Sequence, residues 1–333
     1  MNDRRFDVLG IGNAIVDVVA SAEDDLLIRQ HLQKGGMTLV DEARADSLSS
    51  FMTDAVKISG GSAANTVVGV ASLGGKAAFI GKVKDDAAGR EFAGDIRASG
   101  VHFETPAALE GPSTARCLVF VTPDGERTMT TYLGACQNLG PRDVDRTLVE
   151  DSAILYLEGY LWDPPEAKAA FVQAAKIAHA AGNRVALSLS DPFCVDRYRE
   201  EFLALLRDRH VDVLFANEHE IKSLYQTADL DAAVSASRDP DMLTIVTRSE
   251  RGCIVATGGE KADFPAFPVQ NLVDTTGAGD LFAAGFLTGL SLGANHETCA
   301  RLAAFAASEA IQHFGARPQT NLRQLAHGAG VLA

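Results

Sequence analysis

The sequence predicts an α/β fold in which helices cover both faces of a central, mostly parallel β-sheet. Short apolar runs alternate with longer segments of helical periodicity along most of the chain. This alternation is typical of parallel sheets, whose strands are buried on both faces. Apolar residues make up 47% of the 333 residues, which is enough for a full core. We therefore expect three layers, with the sheet between two sets of helices.

Six apolar runs are candidate strands of that sheet. They cover residues 6–12, 77–83, 153–160, 184–190, 211–217 and 242–247. Helix-like segments lie between them, beginning with residues 62–73. Another segment carries Phe92 and Ile96 four residues apart, and a third begins with two prolines, is rich in alanine and ends in glycine, as helices tend to. The order strand, helix, strand is the one that a parallel sheet requires.

Two stretches interrupt the alternation and predict a second, smaller sheet. Residues 113–133 contain two β-rich arms around Pro-Asp-Gly, which is a hairpin signal. Residues 14–40 contain two apolar segments that flank a short helix-like piece. We interpret these stretches as a small β-sheet lid, formed by insertions at approximately residues 14–40 and 101–135 of a single domain that spans residues 1–333.

Charge and cysteine content narrow the class of protein. The chain has 30 lysines and arginines against 44 aspartates and glutamates, a net charge of −14, which argues against a nucleic-acid surface but not against a local site for a small anion. The five cysteines are scattered, without a Cys-x-x-Cys motif, as expected for reduced thiols. No apolar run approaches 18 residues, so we expect a cytoplasmic protein with no membrane partner.

A glycine-rich turn carries the most specific chemical signal in the sequence. Gly277, Ala278 and Gly279 precede Asp280, and the apolar stripe that follows at four-residue spacing predicts a helix. Free N–H groups at a helix N-terminus attract an anion, and small residues would let a phosphate approach the backbone. Asp280 could then accept the proton of a hydroxyl that attacks this phosphate. The alternative is that Asp280 only stabilises the first helical turn.

Other motifs for nucleotide or hydrolytic chemistry fail. The glycine pair with Walker A spacing is followed by glycine instead of lysine. Ile15 stands where a dinucleotide fingerprint needs its third glycine, and Ala64 replaces the closing glycine of a nucleophile elbow. His219 and the glutamate after it lack a second histidine for zinc. Phosphoryl chemistry at the glycine turn therefore remains the best-supported hypothesis.

Two polar groups stand at the end of the first predicted strand and at the start of the first long predicted helix. Asn13 and Asp17 could bind adjacent sugar hydroxyls, or they could be a turn residue and a polar strand residue. A double glycine that ends with Gly61 comes before a predicted helix. Ser62 stands at the start of that helix, and Asn65 lies one turn in. That turn would allow close approach of a ligand to the backbone, or it is a plain tight turn with Ser62 as the helix cap.

A third polar pair, Asn217 and Glu220, stands three residues apart where a strand gives way to a helix. These side chains could hold a hydrated Mg²⁺ ion near phosphates. The alternative is a capping box, with Asn217 as N-cap and Glu220 at the third helical position. The spacing alone favours the capping box.

Together these motifs resemble the ribokinase-like carbohydrate kinase family. Residues 60–65, GGSAAN, are similar to its N-terminal signature, and residues 274–280, DTTGAGD, to its C-terminal signature. Residues 217–220 resemble its N-x-x-E element, and residues 246–253 its nucleotide-side hairpin, with Arg-Ser in place of the usual Leu-Gly. The resemblance implies a ribokinase-like three-layer α/β/α fold and phosphoryl transfer from ATP. The nucleotide contacts that it implies are Asn217, Thr247, Gly252 and Gly279.

Within that family the chain most resembles the adenosine kinases. Asn13 and Asp17 are spaced as in their N-terminal motif, and Phe193 lies in a segment similar to one of theirs, where an aromatic ring could stack on a nucleobase. The resemblance implies phosphorylation of a nucleoside 5′-hydroxyl, that of adenosine first, with Mg²⁺ organised through water by Glu220. It also implies a monovalent cation, such as K⁺, beside two residues of the C-terminal signature, Asp274 and Thr276.

Glu158 departs from the adenosine kinase pattern and keeps other acceptors open. In this respect the chain resembles the ribokinases, which carry a sugar-binding glutamate at the matching strand position. Animal adenosine kinases carry a small residue there. A free-sugar kinase acting on ribose or fructose is therefore the alternative, and Glu158 could also simply be paired within the sheet. A non-catalytic nucleoside sensor is a third hypothesis, against which the intact Asp280 argues. The sequence leaves both a monomer and a homodimer open.

Overall fold

The structure, a computed structural model, describes residues 4–332, which form fourteen strands and twelve α-helices. The strands are β1 (Phe6–Ile11), β2 (Ile15–Ser21), β3 (Met37–Leu39), β4 (Val56–Gly60), β5 (Ala77–Ile80), β6 (Val101–His102), β7 (Ala115–Val121), β8 (Arg127–Tyr132), β9 (Ser152–Glu158), β10 (Arg184–Ser188), β11 (Val213–Asn217), β12 (Leu243–Thr247), β13 (Cys253–Ala256) and β14 (Lys261–Phe264). The helices are α1 (Asp24–Arg29), α2 (Glu42–Ser49), α3 (Ser62–Ser72), α4 (Ala87–Ala98), α5 (Arg146–Glu150), α6 (Pro165–Ala180), α7 (Pro192–Arg207), α8 (Glu218–Leu224), α9 (Leu230–Ala236), α10 (Ala278–Ser291), α11 (His296–Ala310) and α12 (Leu322–Gly328). Each of the six apolar runs named above coincides with a strand to within three residues at either end.

Nine strands form the main sheet, in the order β14-β13-β12-β11-β10-β9-β1-β5-β6. The strands from β12 to β6 run parallel, and β13 and β14 extend one edge antiparallel. Side chains alternate between the faces, so that Val8 and Tyr156 enter one apolar core while Leu9 and Leu157 enter the other. The predicted mostly parallel sheet, buried on both faces, is confirmed.

Helices form a layer on each side of this sheet. The first core takes apolar residues from α3, α4, α10, α11 and α12, and the second from α5 to α9. Helix α10 packs directly along α3, where a Cβ atom on Gly69 would lie only 2.6 Å from the Cβ of Ala284. This close packing brings the N-terminal turns of two helices, α3 and α10, to the same place.

A second sheet of five strands, in the order β3-β8-β7-β2-β4, lies beside the first. Leu118 and Phe120 of β7 pack against Leu27 of α1 and Leu48 of α2, so these two short helices cover one face. Strand β4 belongs to this sheet although it lies outside the predicted insertions, and β6 belongs to the main sheet although residues 101–135 were assigned to the lid. Both differences arise because strand pairing, which sets sheet membership, leaves little trace in a short sequence run.

The carboxyl ends of the parallel strands meet at one edge of the main sheet. The chain passes from β1 to β5 on one side and later returns to β9 on the other, so a topological switch point lies between β1 and β9. Open α/β sheets bind ligands in the crevice at such a point. Asn13, Glu158, Asn217 and Thr247 all lie at this edge. Among residues 4–332, no helix is long and apolar enough to cross a membrane.

Candidate active site

Asp280 lies in the first turn of α10 and is held by two side chains of α3. One carboxylate oxygen accepts a hydrogen bond from Ser62 Oγ at 2.7 Å, and the other accepts one from Asn65 Nδ2 at 3.0 Å. These partners are 218 and 215 residues away in sequence. The packing of α10 on α3 therefore brings together three residues that were selected separately from the sequence.

The protonation equilibrium of Asp280 suits a general base. Burial raises the pKa of its carboxyl to about 6, while the hydrogen bonds from Ser62 and Asn65 act to lower it. A carboxyl with this pKa is largely ionised at pH 7 and binds protons more strongly than an ordinary aspartate. It can thus accept a proton from a hydroxyl and later release it.

The turn before Asp280 presents free backbone donors. Gly277 is the N-cap of α10 with φ 80°, and a Cβ there would lie 2.5 Å from the Cα of Ala316, so only glycine fits. A Cβ on Gly279 would meet open space. The N–H groups of Gly277 and Gly279 have no partner among residues 4–332, whereas the N–H of Ala278 donates to the Thr275 carbonyl at 3.2 Å. The two glycine N–H groups are thus free to bind an anion, and the part of Ala278 in the expected anion hole stays a prediction.

Asn13 follows β1 and is buried beside the start of α3. Its Nδ2 donates to Glu158 Oε1 at 2.6 Å, while its Oδ1 is buried without a partner among the described residues. Gly61, with φ 97°, lets the two segments meet, because a Cβ there would lie 2.1 Å from the Asn13 carbonyl oxygen. A buried acceptor without a donor costs free energy unless a ligand supplies one. The side-chain Oδ1 of Asn13 therefore fits a hydroxyl donor.

Asp17, on β2, contributes a second carboxylate to the cleft. The Asp17 carboxylate receives no hydrogen bond from residues 4–332. It packs against Gly60, because a Cβ on that glycine would lie 2.5 Å from an Asp17 carboxylate oxygen. Burial raises its pKa to about 7, against the opposing charges of Arg127 and Arg317, and the Asp280 carboxylate adds to the rise. The structure thus gathers Asp17 and Asp280 into one cleft between the two sheets.

Glu158 is buried and bound by protein donors. Its side chain is 1% exposed and accepts hydrogen bonds from Asn13 N at 3.1 Å, Asn13 Nδ2 at 2.6 Å and Ala63 N at 2.7 Å. Burial raises its pKa to about 7, although these donors act to lower it. Its assignment as a substrate-binding residue stays a prediction. Glu158 joins the ends of β1 and β9 to the first turn of α3, which matches the alternative of a carboxylate paired within the fold.

Asn217 and Glu220 form the capping box of α8. Asn217 Oδ1 accepts from the N–H groups of His219 at 2.8 Å and Glu220 at 2.9 Å, and the Glu220 carboxylate accepts from the Asn217 N–H at 2.8 Å. Burial raises the pKa of Glu220 to about 7. The capping box that the spacing favours is therefore present in the structure. Contacts of these residues with Mg²⁺ or nucleotide stay predictions.

Thr247 and Gly252 lie next to that capping box. Asn217 and Thr247 are paired across β11 and β12, so both end at the carboxyl edge of the sheet. Gly252 immediately precedes the return strand β13, and a Cβ there would lie 2.0 Å from the Phe264 carbonyl oxygen. Packing thus explains the glycine at position 252, and its contact with a nucleotide stays a prediction.

Asp274 and Thr276 are bound by an arginine that the sequence analysis missed. Arg127, at the start of β8, donates to the carboxylate of Asp274 and, at 3.0 Å, to Thr276 Oγ1. Asp274 also accepts from the N–H groups of Thr276 and Gly315, both at 3.0 Å. Burial would raise the pKa of Asp274, but these donors hold it below its usual range. A monovalent cation here stays a prediction, and it would share Asp274 with Arg127.

Two large, exposed aromatic side chains follow strands at the carboxyl edge of the main sheet. Phe193, at the start of α7, is 74% exposed, and Tyr160, two residues after β9, is 39% exposed. The Tyr160 N–H donates to Ser190 Oγ at 3.2 Å, which ties the two segments together. Tyr160 was not selected from the sequence, although its position just after the strand-end Glu158 could have indicated it. Within the described contacts, Phe193 has no link to Asp280.

Arg317 is the second arginine that sequence reasoning missed. It lies between α11 and α12, its side chain is 11% exposed, and its Nε donates to Asn65 Oδ1 at 3.2 Å. Its Nη1 donates to Asp95 of α4 at 2.7 Å. No local pattern marks this residue, because its partners are 252 and 222 residues away.

Comparison with known proteins accounts for the arrangement. The sequence pattern of the pfkB family carbohydrate kinases matches residues 37–322. The adenosine kinase from Sinorhizobium meliloti is 51% identical, with a TM-score of 0.91, and the match covers 98% of this chain and 99% of that one. A probable sugar kinase from Rhizobium etli CFN 42 is 49% identical, with a TM-score of 0.92 over 99% of this chain and 100% of that one. Adenosine kinase 2 of Arabidopsis thaliana is 27% identical over 92% of this chain and 94% of its own length.

These matches confirm the family resemblance and the ribokinase-like fold expected from the motifs. The family pattern covers both glycine-rich signatures and most of the chain between them. The solved structures match nearly every residue of the fold. The protein therefore belongs to the pfkB family of carbohydrate kinases and is a phosphotransferase that acts on a hydroxyl group.

Proposed function

We propose that this protein is an ATP-dependent nucleoside kinase that phosphorylates the 5′-hydroxyl of adenosine. The observation that carries the proposal is the placement of Asp280 directly beside the free N–H groups of Gly277 and Gly279, at the end of a cleft that also holds Asn13 and Asp17. A base and an anion site at one helix N-terminus are what in-line phosphoryl transfer to an alcohol needs. The 51% identical adenosine kinase supports adenosine as the acceptor.

In this mechanism Asp280 accepts the proton of the 5′-hydroxyl as its oxygen attacks the terminal phosphorus of ATP. The bond from that phosphorus to the bridging oxygen breaks, and ADP leaves. The amides of Gly277 and Gly279 stabilise the negative charge on the transferring group. The guanidinium of Arg127, bound to Asp274 just before this turn, adds positive charge to the same end of the cleft.

We define the acceptor cluster as the residues that bind and activate the nucleoside. Among residues 4–332, Asp17 receives no hydrogen bond and the side-chain oxygen of Asn13 is buried without a donor, so both suit ribose hydroxyls. Ser62 and Asn65 hold Asp280 toward the 5′ end of the ribose. The acceptor cluster comprises Asn13, Asp17, Gly61, Ser62, Asn65 and Asp280.

We define the donor cluster as the residues on the nucleotide side, namely Asn217, Glu220, Thr247 and Gly252. ATP would lie along the carboxyl edge of β11 and β12, with its terminal phosphate at the N-terminus of α10. Carboxylate oxygens suit Mg²⁺, and the Glu220 carboxylate would hold the waters of a Mg²⁺ ion bound to the phosphates. When bound, Mg²⁺ would neutralise phosphate charge during transfer.

The second sheet would act as a lid over the acceptor cluster. It carries Asp17 on β2 and Arg127 on β8, so both side chains enter the cleft from that sheet. A lid excludes water, which would otherwise compete with the nucleoside for the phosphoryl group. The five cysteines are all free thiols, which supports the cytoplasmic location expected from the sequence.

The alternative acceptor is a free sugar, as in a ribokinase or fructokinase. Its main support was Glu158, together with the 49% identical probable sugar kinase. The three N–H groups bound to the Glu158 carboxylate leave it engaged inside the fold, which weakens that support. The exposed aromatic rings of Tyr160 and Phe193 favour a substrate with a base.

A substrate panel tests the proposal. The purified protein is assayed with ATP and Mg²⁺ against adenosine, other nucleosides, ribose and fructose, with ADP release as the signal and phosphorus NMR to locate the new phosphate. We expect adenosine to give the highest kcat/KM and a 5′-monophosphate as product. A higher kcat/KM for ribose or fructose would replace the nucleoside with a free sugar, and no turnover with any acceptor would support the sensor.

The variant Phe193→Ala tests whether a base binds beside this ring. We expect kcat/KM for adenosine to fall by roughly tenfold, about the worth of one aromatic stacking contact, while turnover of any slowly used free sugar is unchanged. Phe51, which is 42% exposed and lies just after α2, provides the control variant Phe51→Ala. Equal losses with adenosine and ribose would count against the base site.

A further inference from the structure

Arg317 completes a chain of polar contacts that reaches the base. Its Nη1 donates to the Asp95 carboxylate at 2.7 Å and its Nε donates to Asn65 Oδ1 at 3.2 Å, while Asn65 Nδ2 donates to Asp280 at 3.0 Å. The chain therefore runs from α4 through Arg317 and Asn65 to Asp280. Each link is a hydrogen bond between side chains of separate segments.

The chemistry of these groups allows only one orientation of the Asn65 carboxamide. A guanidinium can only donate and an ionised carboxylate can only accept. With Arg317 on one side and Asp280 on the other, the amide oxygen must face the arginine and the amide nitrogen must face the aspartate. Without Arg317 the carboxamide could turn over and place its oxygen against the Asp280 carboxylate.

The surroundings of Arg317 connect it to the reacting end of the cleft. The neighbouring Ala316 packs against Gly277, so the segment that carries Arg317 also supports the anion-binding turn. The Nη2 atom of Arg317 is buried without a partner among residues 4–332, so the guanidinium is not saturated by structural contacts. Its charge also faces Asp17, whose pKa it acts to lower.

We propose that Arg317 is a positioning residue for phosphoryl transfer, which fixes the Asn65 carboxamide and through it the Asp280 carboxylate. The proposal rests on the kinase function stated above, with Asp280 as base. In this proposal Arg317 acts through Asn65 and not by contact with the reacting hydroxyl or the phosphate. Its effect is to keep the basic oxygen of Asp280 aligned with the hydroxyl that it deprotonates.

The variant Arg317→Ala is expected to lower kcat for adenosine by roughly ten- to a hundredfold, the scale of a misplaced catalytic group, with a smaller change in KM. Because a merely structural arginine would also lower stability, two further measurements are needed. Free guanidinium ion should restore part of kcat in Arg317→Ala without restoring its Tm. Arg317→Lys, which keeps a charged donor, should retain more activity than Arg317→Ala.

A double-mutant cycle with Asn65→Ala tests the route of the effect. If Arg317 acts through Asn65, adding Arg317→Ala to Asn65→Ala changes kcat by about twofold or less. Losses that multiply in the double variant would overturn the proposal. The control is Arg90→Ala, which removes an exposed arginine paired with Asp85 on the outer side of α4 and should leave kcat unchanged.

The outcomes separate this proposal from the function on which it rests. If the wild-type protein phosphorylates no nucleoside or sugar, the proposed function fails and Asp280 has no reaction to serve. If the wild type is active and Arg317→Ala keeps wild-type kcat, the function stands and the positioning role is refuted. A loss of kcat that guanidinium ion cannot restore, accompanied by a proportional loss of folded protein, would likewise refute the positioning role.

Discussion

The acceptor cluster and the donor cluster are held in place by contacts of different range. In the acceptor cluster, Asn65 and Asp280 are 215 residues apart in sequence and meet only because α10 packs on α3. In the donor cluster, Asn217 and Glu220 are three residues apart and bind each other within one helical turn. The contact between Asn65 and Asp280 exists only in the complete fold, whereas the capping box can form wherever its helix forms.

Because the two clusters form by contacts of different range, they differ in how strongly each indicates a bound ligand. The capping box fully satisfies Asn217, so its presence needs no ligand to explain it. Within the part of the chain that the structure describes, the Asn13 side-chain oxygen and the Asp17 carboxylate of the acceptor cluster have no donors, which a stability argument alone does not explain. Changes in the acceptor cluster should therefore affect turnover, and changes in the donor cluster should affect local stability first.

The largest effect is expected from Asp280→Asn. The amide cannot accept a proton, so kcat should fall by about two to four orders of magnitude, while adenosine binding measured by calorimetry is retained. Steady-state kinetics with ADP release provide the measurement. A near-normal kcat in this variant would contradict Asp280 as the base and, with it, the contrast between the clusters.

The pH profile of the wild-type protein should give the next largest effect. With the pKa of Asp280 raised to about 6, lower pH protonates the base, so kcat/KM should fall about tenfold per unit below about pH 6. Asp17 and Glu158 face the same region with pKa values raised to about 7, and Arg317 adds a positive charge there. The variant Asp17→Asn removes the second titrating carboxylate of the cleft and sharpens the assignment. An acidic limb near pH 4 would contradict a buried base.

Glu158→Gln should affect stability more than substrate preference. An amide has one acceptor oxygen, so it cannot accept from both Ala63 on one side and Asn13 on the other, and its NH₂ group would face an N–H donor. We expect a loss of about 1–3 kcal/mol in the free energy of unfolding, measured by urea denaturation. Glu150→Gln, at an exposed pair with Arg146, is the matched control. A change in sugar KM without loss of stability would restore Glu158 as a substrate ligand.

The smallest effect is expected from Asn217→Ala. Loss of the N-cap should destabilise α8 by about 1 kcal/mol, detected by hydrogen exchange of its first-turn amides. If Asn217 also contacts nucleotide, KM for ATP rises beyond what this local loss explains. Asp229→Ala removes the N-cap of the neighbouring α9 and serves as the control for a cap without a proposed ligand. Equal kinetic effects in both variants would leave Asn217 as a cap only.

The sequence predicted elements whose signal is local. Apolar runs located six strands of the main sheet, and the glycine signatures located the turns beside Asn13 and Asp280, because each depends on residues adjacent in the chain. Arg127 and Arg317 were missed because their partners are 147 and 252 residues away and no spacing marks them. The pairing of β4 with β2 was missed for the same reason, since register is decided between strands.

The ion pair between Arg127 and Asp274 joins the small sheet to the segment that leads into α10. If the small sheet swings outward, this pair must separate, and Asp274 then keeps only the donors of Thr276 and Gly315 in a buried position. Salt screens a buried pair little, but it stabilises charges that opening of the sheet exposes. The rate at which adenosine enters and leaves the cleft should therefore respond to salt, even though adenosine itself carries no charge.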